Sequence, residues 1–195
     1  MLLVLFESYM RPSEAIGLTV GQLIAPVQTQ GERSHCAVLL HPWEGELASK
    51  TGERDVSIAF DLERQRFLVP MLLHIAAGRP PHASLFELSY RELSSDYRAA
   101  VGRCGVQVLQ STLYCLRHGG ASHDRWSGSR PLLEVQQRGA WRATSSVLRY
   151  DKHGRLGLQL QRLGRERHRR LEQETCGFEL AFTRLFWASC GAPAV

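Results

Sequence analysis

Four short stretches, far apart along the 195 residues, carry side chains suited to one kind of chemistry. Arg11 precedes Glu14 in "RPSE", and Lys50 stands before Thr51 and Gly52. Arg117 and His118 are neighbours in "YCLRHGGASHDRW", and Tyr150 follows Trp141 by nine positions in "WRATSSVLRY". A phosphodiester is the substrate these residue types fit. Displacement at its phosphorus builds charge on two non-bridging oxygens, which two arginines can hold through charge-assisted hydrogen bonds. A tyrosine hydroxyl can be the nucleophile and a lysine the acid for the leaving alkoxide, with no metal and no cofactor. Gly119, Gly120, Ala121 and Ser122 have almost no side chain. They read as the place where an arginine-bearing helix end comes close to a bulky anion.

Each residue also has a plainer use. Arg11 could be a surface cation beside Glu14, and Lys50 an ordinary residue before a hairpin glycine. Arg117 and His118 could cap a helix C-terminus, and Trp141 and Tyr150 could fill a core. Cys115, His118 and His123 are metal-ligand types, but without a CxxC or a matched second pair their spacing makes no zinc site.

The elements that must position these groups follow from pattern. Leu2 to Tyr9 reads as a short buried helix. Pro12 suits a first helical position, Glu14 the positive end of the helix dipole, and Gly17 a stop. "HCAVLLH" (His35 to His41) and "RDVSIAFD" (Arg54 to Asp61) are rich in β-formers, with Lys50 in the connection before the second. From Arg64 to Gly78, Phe67, Leu68, Met71, Leu72 and Ile75 recur at helical spacing. Two more helices are predicted over Ser84 to Val101 and Val106 to Arg117, then a glycine- and serine-rich loop after His118. "PLLEVQQRG" opens at Pro131 and closes at Gly139, and a further helical turn leads into Tyr150. The outline is α+β, mostly helical with one small antiparallel sheet.

A chain 44% hydrophobic can bury one core with an appended tail. Residues 1–155 are the expected domain, and residues 156–195 a basic and apolar helical tail. The formal charge of +5 comes from 24 basic residues, nearly all arginine, and suits a polyanion. "RLGRERHRR" (Arg162 to Arg170) is a basic helix that is solvated, laid along a nucleic-acid backbone, or read as a nuclear-import signal. "FELAFTRLFWASC" (Phe178 to Cys190) is more apolar than a solvated tail. It is expected to pack on its own domain or on a second copy. Five scattered cysteines, an odd number, favour free thiols in a reducing compartment. "MLLVLF" meets Glu7 after six residues, too short for a signal peptide or a membrane span. A helix apolar from residue 1 reads as the interior of a longer protein, so an upstream part is expected.

In order and spacing the four stretches resemble the catalytic domain of the tyrosine recombinase, or phage integrase, family. "YMRPSEAIGLTVGQL" is similar to its first-arginine box, and "SKTGERDVSI" to the hairpin that carries its lysine. "YCLRHGGAS" resembles its H-x-x-R box, and "RGAWRATSSVLRY" the last box with a tryptophan or histidine and the tyrosine nucleophile. The resemblance covers Met1 to Lys152. It implies DNA cleavage and rejoining through a 3′-phosphotyrosyl link, with double-stranded DNA as partner, a homo-oligomer on DNA, and a DNA-associated location (nuclear in a eukaryote). Carried over, Arg11 and Arg117 clamp the scissile phosphate, and Lys50 protonates the leaving 5′ oxygen. Tyr150 attacks phosphorus, Trp141 hydrogen-bonds a phosphate oxygen through its indole N–H, and Glu14 and His118 support the site. One position departs: the family has histidine or lysine where this chain has Tyr114, and a phenol is a poor proton shuttle near neutral pH. The family's upstream DNA-clamping domain is not in this sequence. A DNA-binding remnant that keeps the fold without cleaving is the rival reading. A type IB topoisomerase relative would be expected to have a longer chain.

Overall fold

The computed structural model describes residues 1–28, 34–42, 55–151 and 153–191. Helix α1 (Leu2–Ser8) ends at Tyr9, whose left-handed φ of 57° turns the chain sharply towards α2 (Pro12–Ile16). Pro12 and Gly17 bound α2 as the sequence predicts, and Glu14 reaches back to accept the Arg11 backbone N–H at 2.6 Å. Three antiparallel strands follow, β1 (Leu23–Ile24), β2 (Ala37–Leu40) and β3 (Val56–Ala59), in that spatial order. Leu23 faces Val38, and Val38 faces Ile58. Side chains alternate across a pleated strand, so Val38, Leu40 and Ile58 turn together into the core. There they join Leu5, Met10, Leu18, Leu72, Leu85 and Leu93.

Two helices begin later than the sequence predicts. The segment from Ser84 is extended, not helical: Ser84 bridges Thr19, and Leu85 donates its N–H to Leu18 at 2.7 Å. Helix α3 (Leu68–Ala76) precedes it, and α4 (Tyr90–Arg103) starts only where Ser89 and Glu92 form a reciprocal capping box. The helix predicted over Val106 to Arg117 is also corrected. Gln107–Leu109 is a single 3₁₀ turn, Gln110 takes a left-handed φ of 48°, and α5 runs from Tyr114 to Trp126. Arg117 therefore lies in the first turn of a helix, and the glycine- and serine-rich stretch after His118 is helical throughout.

The small residues have a different purpose from the one their sequence suggested. A Cβ placed at Gly120 would lie 1.8 Å from the Phe6 carbonyl oxygen, and one at Gly119 would lie 3.3 Å from the Phe6 ring. What comes close is the backbone of α1, not an anion. Glycine disfavours a helix by about 1 kcal/mol per residue relative to alanine. The α1–α5 contact, which buries Leu5, Tyr9 and Ala121, outweighs that cost.

Helix α6 (Leu132–Arg138) lies between Pro131 and Gly139 as expected, and α7 (Thr144–Val147) passes into a 3₁₀ turn, Leu148–Asp151. Val135, Val147, Tyr9, Ala121 and Tyr150 form a second, smaller cluster. The tail is three helices: α8 (His153–Leu163), α9 (Arg165–Thr175) and α10 (Phe178–Ser189). None of the described side chains of α9 is buried. Helix α10 lies on its own domain: Phe182 meets Phe67 edge-on at 6.1 Å, and Phe186 and Trp187 meet His74. All five cysteines are free thiols. Among the described residues no helix is long and apolar enough to cross a membrane.

Replacing Gly120 by alanine forces α1 and α5 apart. We expect Gly120→Ala to lower unfolding free energy by about 1–3 kcal/mol, the cost of overpacking a tight contact, measured by denaturant titration. Ser122→Ala on the same helix serves as the control and should change stability by less than about 0.5 kcal/mol.

Candidate active site

Arg117 is 2% exposed although it is a cation. One Nη donates to the Tyr9 carbonyl and the other to the Gly139 carbonyl, and the guanidinium carbon sits 4.4 Å above the Trp141 ring. Each partner is delivered by a backbone turn. Tyr9 ends α1 in the left-handed conformation, so its carbonyl leaves the helix direction. Gly139 ends α6, and Ala140 follows at a φ of 47°, which folds Trp141 back over the helix end. The Trp141 backbone N–H then donates to the Gln136 carbonyl at 3.1 Å. A Cβ at Gly139 would fall 1.9 Å from the Trp141 ring, so only glycine leaves space for it.

Tyr150 arrives on the 3₁₀ turn after α7 and is 6% exposed. Its hydroxyl lies 2.5 Å from His118 Nδ1, and its ring lies 5.2 Å from that of Trp141. Tyr114, one helical turn before His118, meets the imidazole edge-on at 4.9 Å. Burial pushes the Tyr150 phenol up to about 12, against the opposing pull of Arg117 and Arg149.

Arg11 caps α2 and pairs with Glu14, both side chains being mostly covered. It is also close enough to act on Arg117. Burial lowers the Arg117 pKa first, the positive charge of Arg11 lowers it further, and Tyr114, Glu14 and Tyr150 oppose both. Two cations thus lie within electrostatic reach of one another, with the Glu14 carboxylate paired to Arg11 and acting on Arg117 as well. His41, at the end of β2, approaches the same carboxylate at 3.8 Å. Arg117 Nε and His41 Nε2 are both buried without a hydrogen-bond partner among the described residues. Both residues line a hollow of about 10 Å³ with Glu14, Tyr9 and Arg138.

The structure therefore brings Arg11, Glu14, Tyr114, Arg117, His118, Trp141 and Tyr150 into one neighbourhood. Lys50 lies outside the described residues. Among those residues no three His, Cys, Asp or Glu side chains gather to hold a metal ion.

Sequence reasoning missed the layer beneath the site. Asp124 is wholly buried. It accepts from the Tyr9 hydroxyl and from Arg64 at 2.6 Å, and it faces Arg130 Nε at 3.2 Å. Arg130 also pairs with Asp61 and Glu134. Glu7 accepts from Arg64 at 2.9 Å and from Gln65 at 2.7 Å. Arg138 donates to the Glu7 carbonyl at 2.8 Å and to the Ala59 carbonyl at 2.7 Å. Burial, and then the charge of Arg130, bring the Arg138 pKa down to about 10. One signal was present: Arg117, Ala121 and Asp124 are spaced four and three apart, which puts two opposite charges on the buried face of one helix.

Two larger hollows are present among the described residues. A groove of about 730 Å³ runs beside β3 and α6, lined by Asp61, Arg130, Arg138, Trp141 and Arg142. A second, of about 630 Å³, is lined by Arg162, Arg165, Arg167 and Arg170 where α8 meets α9. Comparison with protein-family models, with curated proteins and with solved structures finds no match.

Removing one partner of a buried ionic cluster strands the others. We expect Asp124→Ala to cost about 3–5 kcal/mol of unfolding free energy, read by thermal or denaturant unfolding. Glu172→Ala, an exposed carboxylate on α9, should cost less than about 1 kcal/mol in the same assay.

Proposed function

We propose that this chain cleaves and rejoins DNA strands by the chemistry of a tyrosine recombinase. What supports the reading is one observation. Residues from three of the four sequence stretches, Arg11, Arg117, Trp141 and Tyr150, meet around one guanidinium although up to 139 positions separate them. Buried aromatics alone need no second arginine beside the first, and a surface ion pair needs no tyrosine.

In this mechanism the scissile phosphate enters between Arg11 and Arg117, whose charges meet the two non-bridging oxygens as the pentacoordinate state forms. Trp141 holds Arg117 flat and offers its indole N–H to an oxygen. Tyr150 Oη attacks phosphorus and the P–O5′ bond breaks. Lys50 gives its proton to the departing 5′ oxygen, which leaves a 3′-phosphotyrosyl link. Glu14 fixes Arg11 through both its backbone N–H and its guanidinium. The arginine-lined hollow between α8 and α9 adds positive surface for the flanking duplex. The expected partner is double-stranded DNA, with further copies of the chain assembled on it.

A specific observation favours the rival reading, a DNA-binding remnant. Tyr150 is buried, Arg117 already serves two carbonyls, and Tyr114 stands where the resembled family has histidine or lysine.

The deciding experiment is covalent capture on a nicked duplex, resolved in denaturing detergent without added metal. The parent chain should form an adduct. Tyr150→Phe should abolish it and spare binding. Arg11→Ala should slow it by about 10²–10³-fold, as for loss of one transition-state donor. Arg11 is a cleaner probe than Arg117, which also holds two carbonyls. Adduct formation surviving in Tyr150→Phe would refute the mechanism, and none from the parent chain would favour the remnant. Affinity for duplex DNA should fall steeply with salt, the logarithmic slope being about 0.9 per phosphate contacted. A flat titration would exclude backbone binding.

A further inference from the structure

We propose that His118 is the general base that takes the phenol proton from Tyr150 as its oxygen attacks phosphorus. The assignment rests on the strand-transfer reading above and adds to it a residue with a defined proton to move. Its ground is geometry. His118 Nδ1 lies 2.5 Å from the Tyr150 hydroxyl, within direct proton-transfer reach, and the two rings lie side by side with centroids 5.7 Å apart. In the Nε2–H tautomer, Nδ1 carries the lone pair that accepts this proton.

The surroundings create the need. Tyr150 is 6% exposed, so bulk water has little access to its hydroxyl. Burial raises its pKa to about 12, and an unassisted phenol would be almost wholly protonated at neutral pH. Arg117 and Arg149 favour the phenolate as it forms, but neither can accept a proton. Tyr114 cannot take the role either: it is a phenol, it is 42% exposed, and its ring meets the imidazole edge-on. His118 lies against both tyrosines, and of these groups an imidazole is the one whose ring nitrogen can accept a proton.

The step balances. The Tyr150 O–H bond breaks and its proton bonds to His118 Nδ1, while the oxygen electron pair forms the bond to phosphorus. The P–O5′ bond breaks, and its electron pair leaves on the 5′ oxygen, which takes a proton from Lys50. In rejoining, the 5′ hydroxyl attacks and the imidazolium returns its proton to the phenol oxygen.

The test is the rate of adduct formation by the full chain on a nicked duplex. His118→Asn keeps a polar atom near the Nδ1 position and the packing against Tyr114 but is not basic. His118→Ala leaves space for added imidazole. Both should slow the adduct by about 10²–10³-fold, within the range for loss of a general base. Imidazole should restore part of the rate in His118→Ala and none in His118→Asn. A substrate with sulfur for the bridging 5′ oxygen, whose thiolate departs without a proton, should rescue neither variant but should rescue Lys50→Ala. Thermal unfolding of His118→Asn within a few degrees of the parent excludes a folding defect. Parent-like rates in His118→Asn, or rescue of either His118 variant by sulfur, would overturn the assignment while leaving the strand-transfer reading intact. No adduct from the parent would overturn the reading itself, and the assignment with it.

Discussion

The buried carboxylate of Asp124 is the constraint on which the rest of this structure depends. An ion taken out of water costs several kcal/mol unless opposite charges and hydrogen bonds meet it. Here the Tyr9 hydroxyl, Arg64 and Arg130 meet it, and each comes from a different part of the chain. Arg64 reaches on to Glu7 in α1, and Arg130 to Asp61 beyond β3 and Glu134 in α6. One charge in α5 therefore fixes α1, the turn before α3, the end of the sheet and α6 relative to one another. Apolar contacts tolerate sliding, whereas this network has one arrangement in which its members are satisfied.

Tyr9 carries that constraint up to the site. Its hydroxyl points down to Asp124, its carbonyl receives Arg117, and its ring lies 5.4 Å beneath the Arg138 guanidinium. Arg117 and Asp124, two turns apart on α5, are thus tied to the same residue from opposite ends. The close approach of α1 that Gly120 permits is what brings Tyr9 into position. On this platform Arg117, held in α5, stacks with Trp141, which the turn after α6 folds back over the helix end.

The same burial makes Tyr150 costly to ionise. Covering Tyr150 keeps water from its hydroxyl and raises its pKa. Tyr114 contributes an aromatic edge to His118, and His118 in turn touches the Tyr150 hydroxyl. The position that departs from the resembled family is therefore built into the support of the neighbouring histidine.

Local chemistry made some elements legible in the sequence. Pro12, Glu14 and Gly17 define α2, Pro131 and Gly139 define α6, and the β-rich runs define β2 and β3, because caps and strand alternation act within a few residues. The types and spacing of Arg11, Arg117, Trp141 and Tyr150 suggested phosphodiester chemistry for the same local reason. The start of α4 was decided by pairing of Ser84 and Leu85 with residues 18 and 19, and the course of α5 by its fit to Phe6. Such contacts bridge more than sixty positions, and no short window contains them. The small residues after His118 told that something would come close, but only the tertiary structure decided that it was a helix backbone. Charge pairing followed the same division. The sequence determined that the chain is arginine-rich, while folding decided which arginines stay at the surface and which are buried against Asp124 and Glu7. A side chain's pairing depends on distance in space, which a linear order of residues does not specify.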